Sequence, residues 1–398
     1  MGKYSMSIED YVTSNEVAEL TSQLIKIPSY SGLINQEQAV GQYIYNFIKE
    51  NGIDVELIEV LKNRYNVVAT IKGEGSGRSL MLTGHMDTVP AYDMSISPFS
   101  GEIKNGNVYG RGSCDMKGPL ASMIMALIGI KRSGISLNGD LIFAAVINEE
   151  ETSEGTEYIV RNGPKTNAAI VGEPTNLEIA AGHRGLEWLK IKIKGKTTHG
   201  GTSDQGINAI SKSAKLITEI ENNLIPKMNE KSHWLIGKPT LNFGKIYGGD
   251  QPSTVAGECC IELDRRWIPS ENYEQVFNDF YEMFDKLKKE DPEFDAELIQ
   301  IYGDVNMMVH RPMEIDINDP VVKCLETSLV SVNGVNPPIV SFPAWTDASL
   351  LSNYAKIPTV VFGPGNLAKA HSKEEYIEIE QLYKAFQVYA LTAIKYCN

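Results

Sequence analysis

The 398-residue sequence has no long hydrophobic run and relatively few basic residues. Its longest apolar stretch, Met123 to Ile130, is far shorter than the ~18 residues that a membrane span needs. The 37 Lys and Arg residues stand against 51 Asp and Glu residues, which gives a net charge of −14. Because affinity for nucleic acid depends on clustered Lys and Arg, we predict neither a nucleic-acid partner nor a membrane partner.

Cysteine is also scarce. The five cysteines are odd in number, and no two of them form a C-x-x-C pair. This pattern argues against a disulfide framework and favours a reducing compartment. The first residues lack the apolar segment of a signal peptide, so we expect a cytoplasmic protein.

Two patterns of hydrophobicity divide the chain. Apolar strands alternate with helices up to residue 182 and again from residue 304, which favours a mostly parallel sheet with helices on both faces. From His183 a strand of period two begins the order β-α-β-β-α-β, which is typical of a ferredoxin-like domain. We predict an α/β domain of residues 1–182 and 304–398, interrupted by a ferredoxin-like α+β domain over 183–303. The main strands of the α/β domain are predicted at 67–71, 79–83, 141–147, 168–171 and 358–362.

Acidic and imidazole groups follow several predicted strands of the α/β domain. They are His85 and Asp87, the triplet Glu149 to Glu151, Glu173, and the more distant His371. Ligands of open α/β sheets bind beyond the carboxyl ends of the strands, so these groups can converge. A lone histidine is usually structural and an acidic triplet is usually a solvated turn. Together they favour two divalent cations, Zn²⁺ first, with Co²⁺ or Mn²⁺ as alternatives.

Asp115 stands in a glycine-rich segment, Gly110 to Gly118. A dinucleotide-binding fingerprint would need glycine at position 115, and a carboxylate there would repel a pyrophosphate. Pro119 suits the first turn of a helix, whose N-terminus favours an anionic bridge between cations. A serine hydrolase is disfavoured because no G-x-S-x-G motif occurs.

Six blocks of the sequence resemble the signatures of one family, the dizinc metallopeptidases and amidohydrolases that include acetylornithine deacetylase, succinyl-diaminopimelate desuccinylase, aminoacylase and glutamate carboxypeptidase. The blocks occur in the family's order and cover nearly the whole chain. They are Thr83 to Pro90, Gly110 to Gly118, Glu149-Glu150, Gly172 to Thr175, Thr198 to Gly200, and Ala370 to Ser372.

The resemblance implies a role for each matching residue of the metal site. One metal ion would be held by His85 and Glu173, and the other by Glu150 and His371. Asp115 would bridge the two ions. Asp87 would orient His85, and Glu149 would be the general base.

The resemblance also gives the inserted domain the role of a lid and dimerisation domain. His199 would reach across a homodimer and polarise the scissile carbonyl. Arg266 would hold a substrate carboxylate, in a pocket lined by Gly363 and Gly365. Asparagine is common in the family where Ser253 stands, which leaves one contact from the lid to the substrate open.

Asn148 departs from the family pattern, which has aspartate before the paired glutamates. A third glutamate follows instead, so a register with Glu150 as base and Glu151 as ligand stays open. We expect a hydrolase of small N-acyl amino acids, in which a water between the metals loses its proton to Glu149. The alternatives are a dipeptidase or carboxypeptidase with the same site, and a non-catalytic metal-binding assembly protein.

Overall fold

A computed structural model describes residues 8–301 and 307–398, so the predicted boundary at 303/304 and residues 1–7 of the N-terminus lie outside the described residues. Its strands are β1 (Asp54–Leu61), β2 (Arg64–Ile71), β3 (Leu80–His85), β4 (Glu102–Lys104), β5 (Asn107–Tyr109), β6 (Leu141–Val146), β7 (Ala168–Val171), β8 (Ile179–His183), β9 (Gly185–Lys194), β10 (Thr240–Gly248), β11 (Glu258–Trp267), β12 (Asp295–Gln300), β13 (Met313–Glu314), β14 (Ile339–Phe342), β15 (Thr359–Val361) and β16 (Tyr376–Glu378).

The α-helices are α1 (Ser14–Ile25), α2 (Gln38–Glu50), α3 (Gly118–Ser133), α4 (Glu154–Asn162), α5 (Ala209–Glu219), α6 (Ile225–Asn229), α7 (Tyr273–Glu290), α8 (Pro320–Asn333), α9 (Ala348–Asn353) and α10 (Ile379–Cys397). The chain forms two compact units. The larger comprises Met1–Gly182, Glu314–Phe342 and Thr346–Asn398, and the smaller comprises His183–Met313 and Pro343–Trp345.

The larger unit is built on a sheet with the strand order β1-β2-β6-β3-β7-β15-β8-β13, to which β14 adds beside β8. The central strands β6, β3, β7 and β15 are parallel. The flanking pairs β1/β2, β2/β6 and β15/β8 are antiparallel. The prediction of a mostly parallel sheet is therefore confirmed for its centre, where β3, β6 and β7 are completely buried.

Two groups of helices cover this sheet. Helices α1, α3, α8 and α10 pack against one another, and α3 and α10 also contact β3. Helices α2, α4 and α9 contact β1, β2, β7 and β15 instead. Residues Gly118 to Ile130 of α3 are all buried, as expected for a helix that is apolar on nearly every face. This burial fixes the amino-terminal end of α3 at the edge of the sheet that carries the candidate site described below.

The smaller unit has the order β9-α5-β10-β11-α7-β12 in its main elements, and its sheet has the strand order β10-β11-β9-β12 with antiparallel pairs. This is the ferredoxin-like arrangement. Along β9, fully buried residues alternate with half-buried ones, as its period of two predicts. The core of the unit includes Leu189, Ile191, Ile261, Phe280 and Phe284.

Strand β1 was not predicted from the sequence. Its residues are exposed or half-buried throughout, because it forms the outer edge of the main sheet, so it has no continuous apolar run. Among the described residues, no helix combines the length and apolar character that crossing a membrane requires. The five cysteines are all unpaired thiols.

Glu187 is a buried acid on the face of β9 that packs into the apolar core. One of its carboxylate oxygens accepts a hydrogen bond of 2.8 Å from Gln300, and the other has no partner among the described residues. Burial raises the pKa of Glu187 from its ordinary value of 4.5 to about 7. The folded protein therefore keeps Glu187 protonated at pH values at which this side chain is already ionised in the unfolded chain.

We expect Glu187→Gln to increase the free energy of unfolding at pH 8, by about 3 kcal/mol, and to change it little at pH 4.5. The wild type loses this stability as the pH rises from about 4.5 to about 7, because only the unfolded state ionises freely in that window. Urea denaturation at both pH values measures the difference. An effect of equal size at pH 4.5 and pH 8 would contradict the titration of Glu187.

Candidate metal centre

The predicted ligands meet at one edge of the main sheet. His85 ends β3, Glu150 follows β6, Glu173 follows β7, and His371 lies on the loop after β15. These four strands are adjacent and parallel, so their carboxyl ends share an edge. Asp115 reaches the same place from the turn that precedes α3.

Five side chains form two overlapping groups with the spacing of metal ligands. His85, Asp115 and Glu173 form one group, and Asp115, Glu150 and His371 form the other, with the ligand atoms of each group within 4.8 Å of one another. The Nε2 atom of His85 lies 3.0 Å from Oδ1 of Asp115, and Nε2 of His371 lies 3.2 Å from Oδ2. The two oxygens of Asp115 therefore face different groups, as a bridging carboxylate requires.

The chemistry of this donor set fits divalent cations. The Oε1 atom of Glu173 is buried and has no hydrogen-bond partner among the described residues. Burial raises the pKa of Glu173 well above its ordinary value, and the charge of Asp115 raises it further. Hydrogen bonds to Asp115 and Glu150 raise the pKa of His371 to about 10. A metal ion that binds these groups would displace the protons they hold.

Glu149 lies beside the ligands but belongs to neither group. It is half-buried, and desolvation raises its pKa well above the ordinary range, with a further contribution from the charge of Glu173. Glu151, the ligand of the alternative register, is exposed and accepts a hydrogen bond from Ser31. Of the three glutamates of this turn, Glu150 is the one that belongs to a group with the spacing of metal ligands.

Asp87 connects the two loops that carry His85 and Glu150. Its carboxylate accepts hydrogen bonds from the backbone N–H groups of Glu149, at 3.1 Å, and Glu150, at 2.9 Å. The Nδ1 atom of His85 lies 3.0 Å from the backbone oxygen of Asp87 and 3.5 Å from its carboxylate. Asp87 thus orients His85 chiefly through its backbone, while its carboxylate fixes the glutamate turn.

Asn148, the departure from the family pattern, has a structural reason. Its Oδ1 atom accepts a hydrogen bond from Arg64 at 2.6 Å, and its Nδ2 atom donates to Thr152 at 2.7 Å and to Glu154 at 2.6 Å. An aspartate would lack the donor and would face the Glu154 carboxylate. The φ angle of 64° at Asn148 is also one that asparagine adopts more readily than most residues.

Two buried acids that the sequence analysis did not single out lie close enough to the site for their charges to act on its residues. Glu375 forms a buried ion pair of 2.7 Å with Arg111 and accepts hydrogen bonds from the backbone N–H groups of Cys114 and Asp115. Asp347 is buried, accepts a hydrogen bond of 2.6 Å from Thr156, and has its pKa raised by burial to about 6. Glu375 could have been found from the sequence, because it lies only four residues after the predicted ligand His371. Asp347 could not, because it follows no predicted strand.

Gly363 and Gly365 lie next to the Glu173 loop. A Cβ atom on Gly363 would lie 2.4 Å from the backbone oxygen of Gly172, and Gly365 has a φ of 100°, so both positions require glycine. The N–H of Gly365 donates a hydrogen bond of 2.8 Å to Gln381.

His199 and Arg266 belong to the smaller unit. His199 is exposed and accepts a hydrogen bond of 3.1 Å from the N–H of Gly201. Ser253 contacts this loop through its backbone oxygen, which accepts a hydrogen bond of 2.7 Å from Gly200. Arg266 forms a bidentate pair with Asp264, at 2.6 and 2.8 Å.

Comparisons with known proteins agree with this geometry. The sequence model of peptidase family M20/M25/M40 matches residues 81–395. A deformylase of N-formyl-4-amino-5-aminomethyl-2-methylpyrimidine from Halalkalibacterium halodurans is 29% identical, over 96% of this chain and 95% of that protein. An acetylornithine deacetylase from Photorhabdus laumondii is 30% identical, over 91% of this chain and 92% of that protein.

Solved structures show the same fold. An M20-family metallo-carboxypeptidase from Sulfolobus solfataricus superimposes with a TM-score of 0.80 at 21% identity, over 96% of this chain and 99% of that one. A dinuclear metal-binding peptidase of the same family from Bacillus subtilis gives a TM-score of 0.72 at 17% identity, over 96% and 98% of the two chains.

We expect Asn148→Asp to destabilise the protein by about 1–3 kcal/mol at pH 7.5, because it replaces a donor to Glu154 with a second carboxylate. Adding Glu154→Gln restores an amide opposite position 148 and should recover most of the loss. Urea denaturation of both single variants and the double variant measures this coupling. If Asn148→Asp lowers the free energy of unfolding equally with glutamate and with glutamine at position 154, the hydrogen bond to Glu154 does not explain the asparagine.

Proposed function

The chain belongs to peptidase family M20/M25/M40 and is a metal-dependent hydrolase of amide or peptide bonds, and on that premise we propose that it cleaves a small N-acyl amino acid or a similar small amide. The observation that carries the proposal is the pair of ligand groups that share Asp115, with Glu149 beside them and in neither. The two relatives are named for the removal of a formyl and an acetyl group, which supports a small acyl substituent.

We propose that His85 and Glu173 hold one divalent ion, that Glu150 and His371 hold the other, and that Asp115 bridges them. Two such ions, Zn²⁺ first and Co²⁺ or Mn²⁺ as alternatives, would supply Lewis-acid activation of water and carbonyl when bound. The pairing of His371 with both Asp115 and Glu150 supports this division of the ligands.

Glu149 acts as the general base in this proposal. Its carboxylate takes a proton from the attacking water as the oxygen bonds to the carbonyl carbon. The same carboxyl group returns the proton to the leaving nitrogen as the C–N bond breaks. Glu149 therefore ends the reaction in the protonation state in which it began. Burial raises the pKa of Glu149, which makes its carboxylate a stronger proton acceptor, and Asp87 holds the backbone N–H of Glu149 in place.

Arg266 is proposed to bind a carboxylate of the substrate. Asp264 occupies the Nε–H group and one N–H of Nη2, which leaves the Nη1 side of the guanidinium for a second carboxylate. We also propose that Gly363 and Gly365, which lie next to the Glu173 loop, line the part of the substrate pocket that belongs to the larger unit.

A homodimer formed through the smaller unit is a further part of the proposal. Strand β10 is an edge of its sheet and is largely exposed, including Ile246 and Tyr247. An exposed edge strand of this length can pair with another chain. His199 would then act on the carbonyl of the partner's substrate. The unpaired thiols support a cytoplasmic location.

We expect Glu149→Gln to keep two metal ions per chain and to lower kcat by about 10²- to 10⁴-fold, because a proton acceptor is lost and no ligand is. Metal analysis after gel filtration and assays on N-formyl, N-acetyl and N-succinyl amino acids measure both quantities. The loss of one ion would make Glu149 a ligand instead. Wild-type activity should vanish with a chelator and return with Zn²⁺ or Co²⁺, and turnover of dipeptides alone would contradict the deacylase proposal.

Mixed dimers test the role of His199. When inactive Glu149→Ala and His199→Ala chains are mixed, half of the dimers should contain one chain of each kind. One of the two sites in such a dimer has both residues intact, so activity should recover to about one quarter of wild type, given two-fold symmetry. With subunit exchange verified by mass spectrometry, an absence of recovery would show that His199 does not act across the interface.

A further inference from the structure

Three aromatic side chains form a corner on the surface of the larger unit. The rings of Tyr30 and Phe99 are stacked, with centroids 5.7 Å apart and an interplanar angle of 10°. The ring of Tyr92 stands nearly perpendicular to that of Tyr30, at 79° and a centroid distance of 6.2 Å. We name Tyr30, Tyr92 and Phe99 the aromatic corner.

The aromatic corner is partly open to solvent, since Tyr30 and Phe99 are half-buried and Tyr92 is exposed. Tyr92 is 82% exposed, and Ile34, on the same loop as Tyr30, is 93% exposed. Large apolar side chains that are exposed together commonly mark a binding site. The three rings pack on one another, and much of the surface of Tyr92 remains exposed.

Contacts place the aromatic corner beside the metal centre. Tyr30 forms a parallel backbone bridge with Thr88, the residue after Asp87. The next residue, Ser31, donates a hydrogen bond to Glu151, the residue after the ligand Glu150. The corner is therefore joined on one side to the loops of His85 and Glu150.

The other side of the corner is joined to the loop of His371. Ser95 lies between Tyr92 and Phe99, and its backbone N–H donates a hydrogen bond of 3.0 Å to the backbone oxygen of Lys373. The Ser95 hydroxyl also lies 3.2 Å from a carboxylate oxygen of Glu374. Loops that carry ligands of both metal groups thus contact the loops that carry the aromatic corner.

We propose that the aromatic corner is a substrate subsite that binds a flat aromatic or heteroaromatic ring on the non-reacting part of the amide. A ring placed in the corner stacks on one tyrosine and meets the other edge-on, and both arrangements are favourable for aromatic pairs. A saturated group of the same size gains only the burial of apolar area. The inference rests on the amide hydrolysis proposed above and adds the class of substrate.

The test compares two amides of nearly equal size, N-formylbenzylamine and N-formyl(cyclohexylmethyl)amine, which differ in the flatness and π-system of the ring. The wild type, loaded with Zn²⁺, should have the higher kcat/KM for the benzyl amide. Tyr92→Leu and Tyr30→Leu keep an apolar side chain and should lower the ratio of the two kcat/KM values by roughly 2- to 10-fold. Tyr281→Leu, at a tyrosine of α7 that is 47% exposed, is the matched control and should leave the ratio unchanged.

A binding measurement separates this inference from the proposed function. The Zn²⁺-loaded Glu149→Gln variant should bind N-formylbenzylamine without turnover, and the ring protons should shift in NMR titrations. Adding Tyr92→Leu should weaken that binding by a similar factor. If the N-acyl amino acids named above and both of these amides stay unhydrolysed while the ring still binds in a Tyr92-dependent way, the hydrolysis proposal is wrong and the subsite stands. Equal kcat/KM for the two amides, or ring binding that is indifferent to both tyrosine variants, overturns the subsite.

Discussion

Repulsion among carboxylates gathered at one sheet edge is the constraint on which the larger unit depends. Glu149, Glu150, Glu173 and Asp115 all lie there, and burial raises the pKa values of the three glutamates. The acids behind them are each neutralised or hydrogen-bonded by the protein itself. Glu375 is paired with Arg111, and Glu37 is paired with Arg64. Among the described residues, the carboxylates that face the metal positions have histidines beside them and no arginine partner.

The supporting contacts also tie separate loops into one rigid frame. Asp87 holds the turn of Glu149 and Glu150, while Glu375 holds the turn of Asp115. Each of these acids accepts two backbone N–H groups, and such bonds to a charged acceptor are stronger than those between neutral groups. A cation entering the site therefore meets ligands whose backbone is already fixed, and little ordering remains to oppose binding.

The meeting of the candidate ligands at one sheet edge could be predicted from the sequence, and their roles as metal ligands stay a prediction. His85, Glu150 and Glu173 end or directly follow apolar strands, and the parallel arrangement of those strands brings their ends together. Strand β1 and residues such as Asp347 gave no such signal. An edge strand lacks an apolar run, and Asp347 meets Thr156 only through a contact between distant segments. The suitability of Asn148 likewise depends on Arg64, 84 residues away.

The insertion of β15 between β7 and β8 sets the order in which the enzyme can be completed during synthesis. Strands β7 and β8 leave the ribosome far earlier than residues 359–361, which fill the gap between them. Until then each of the two strands has an unpaired edge, and such edges favour aggregation. The loop with His371 follows the same late strand, so a nascent chain cannot form the second ligand group before its sheet can close. Completion of the second ligand group and closure of the sheet are thereby tied to the arrival of the same carboxyl-terminal segment.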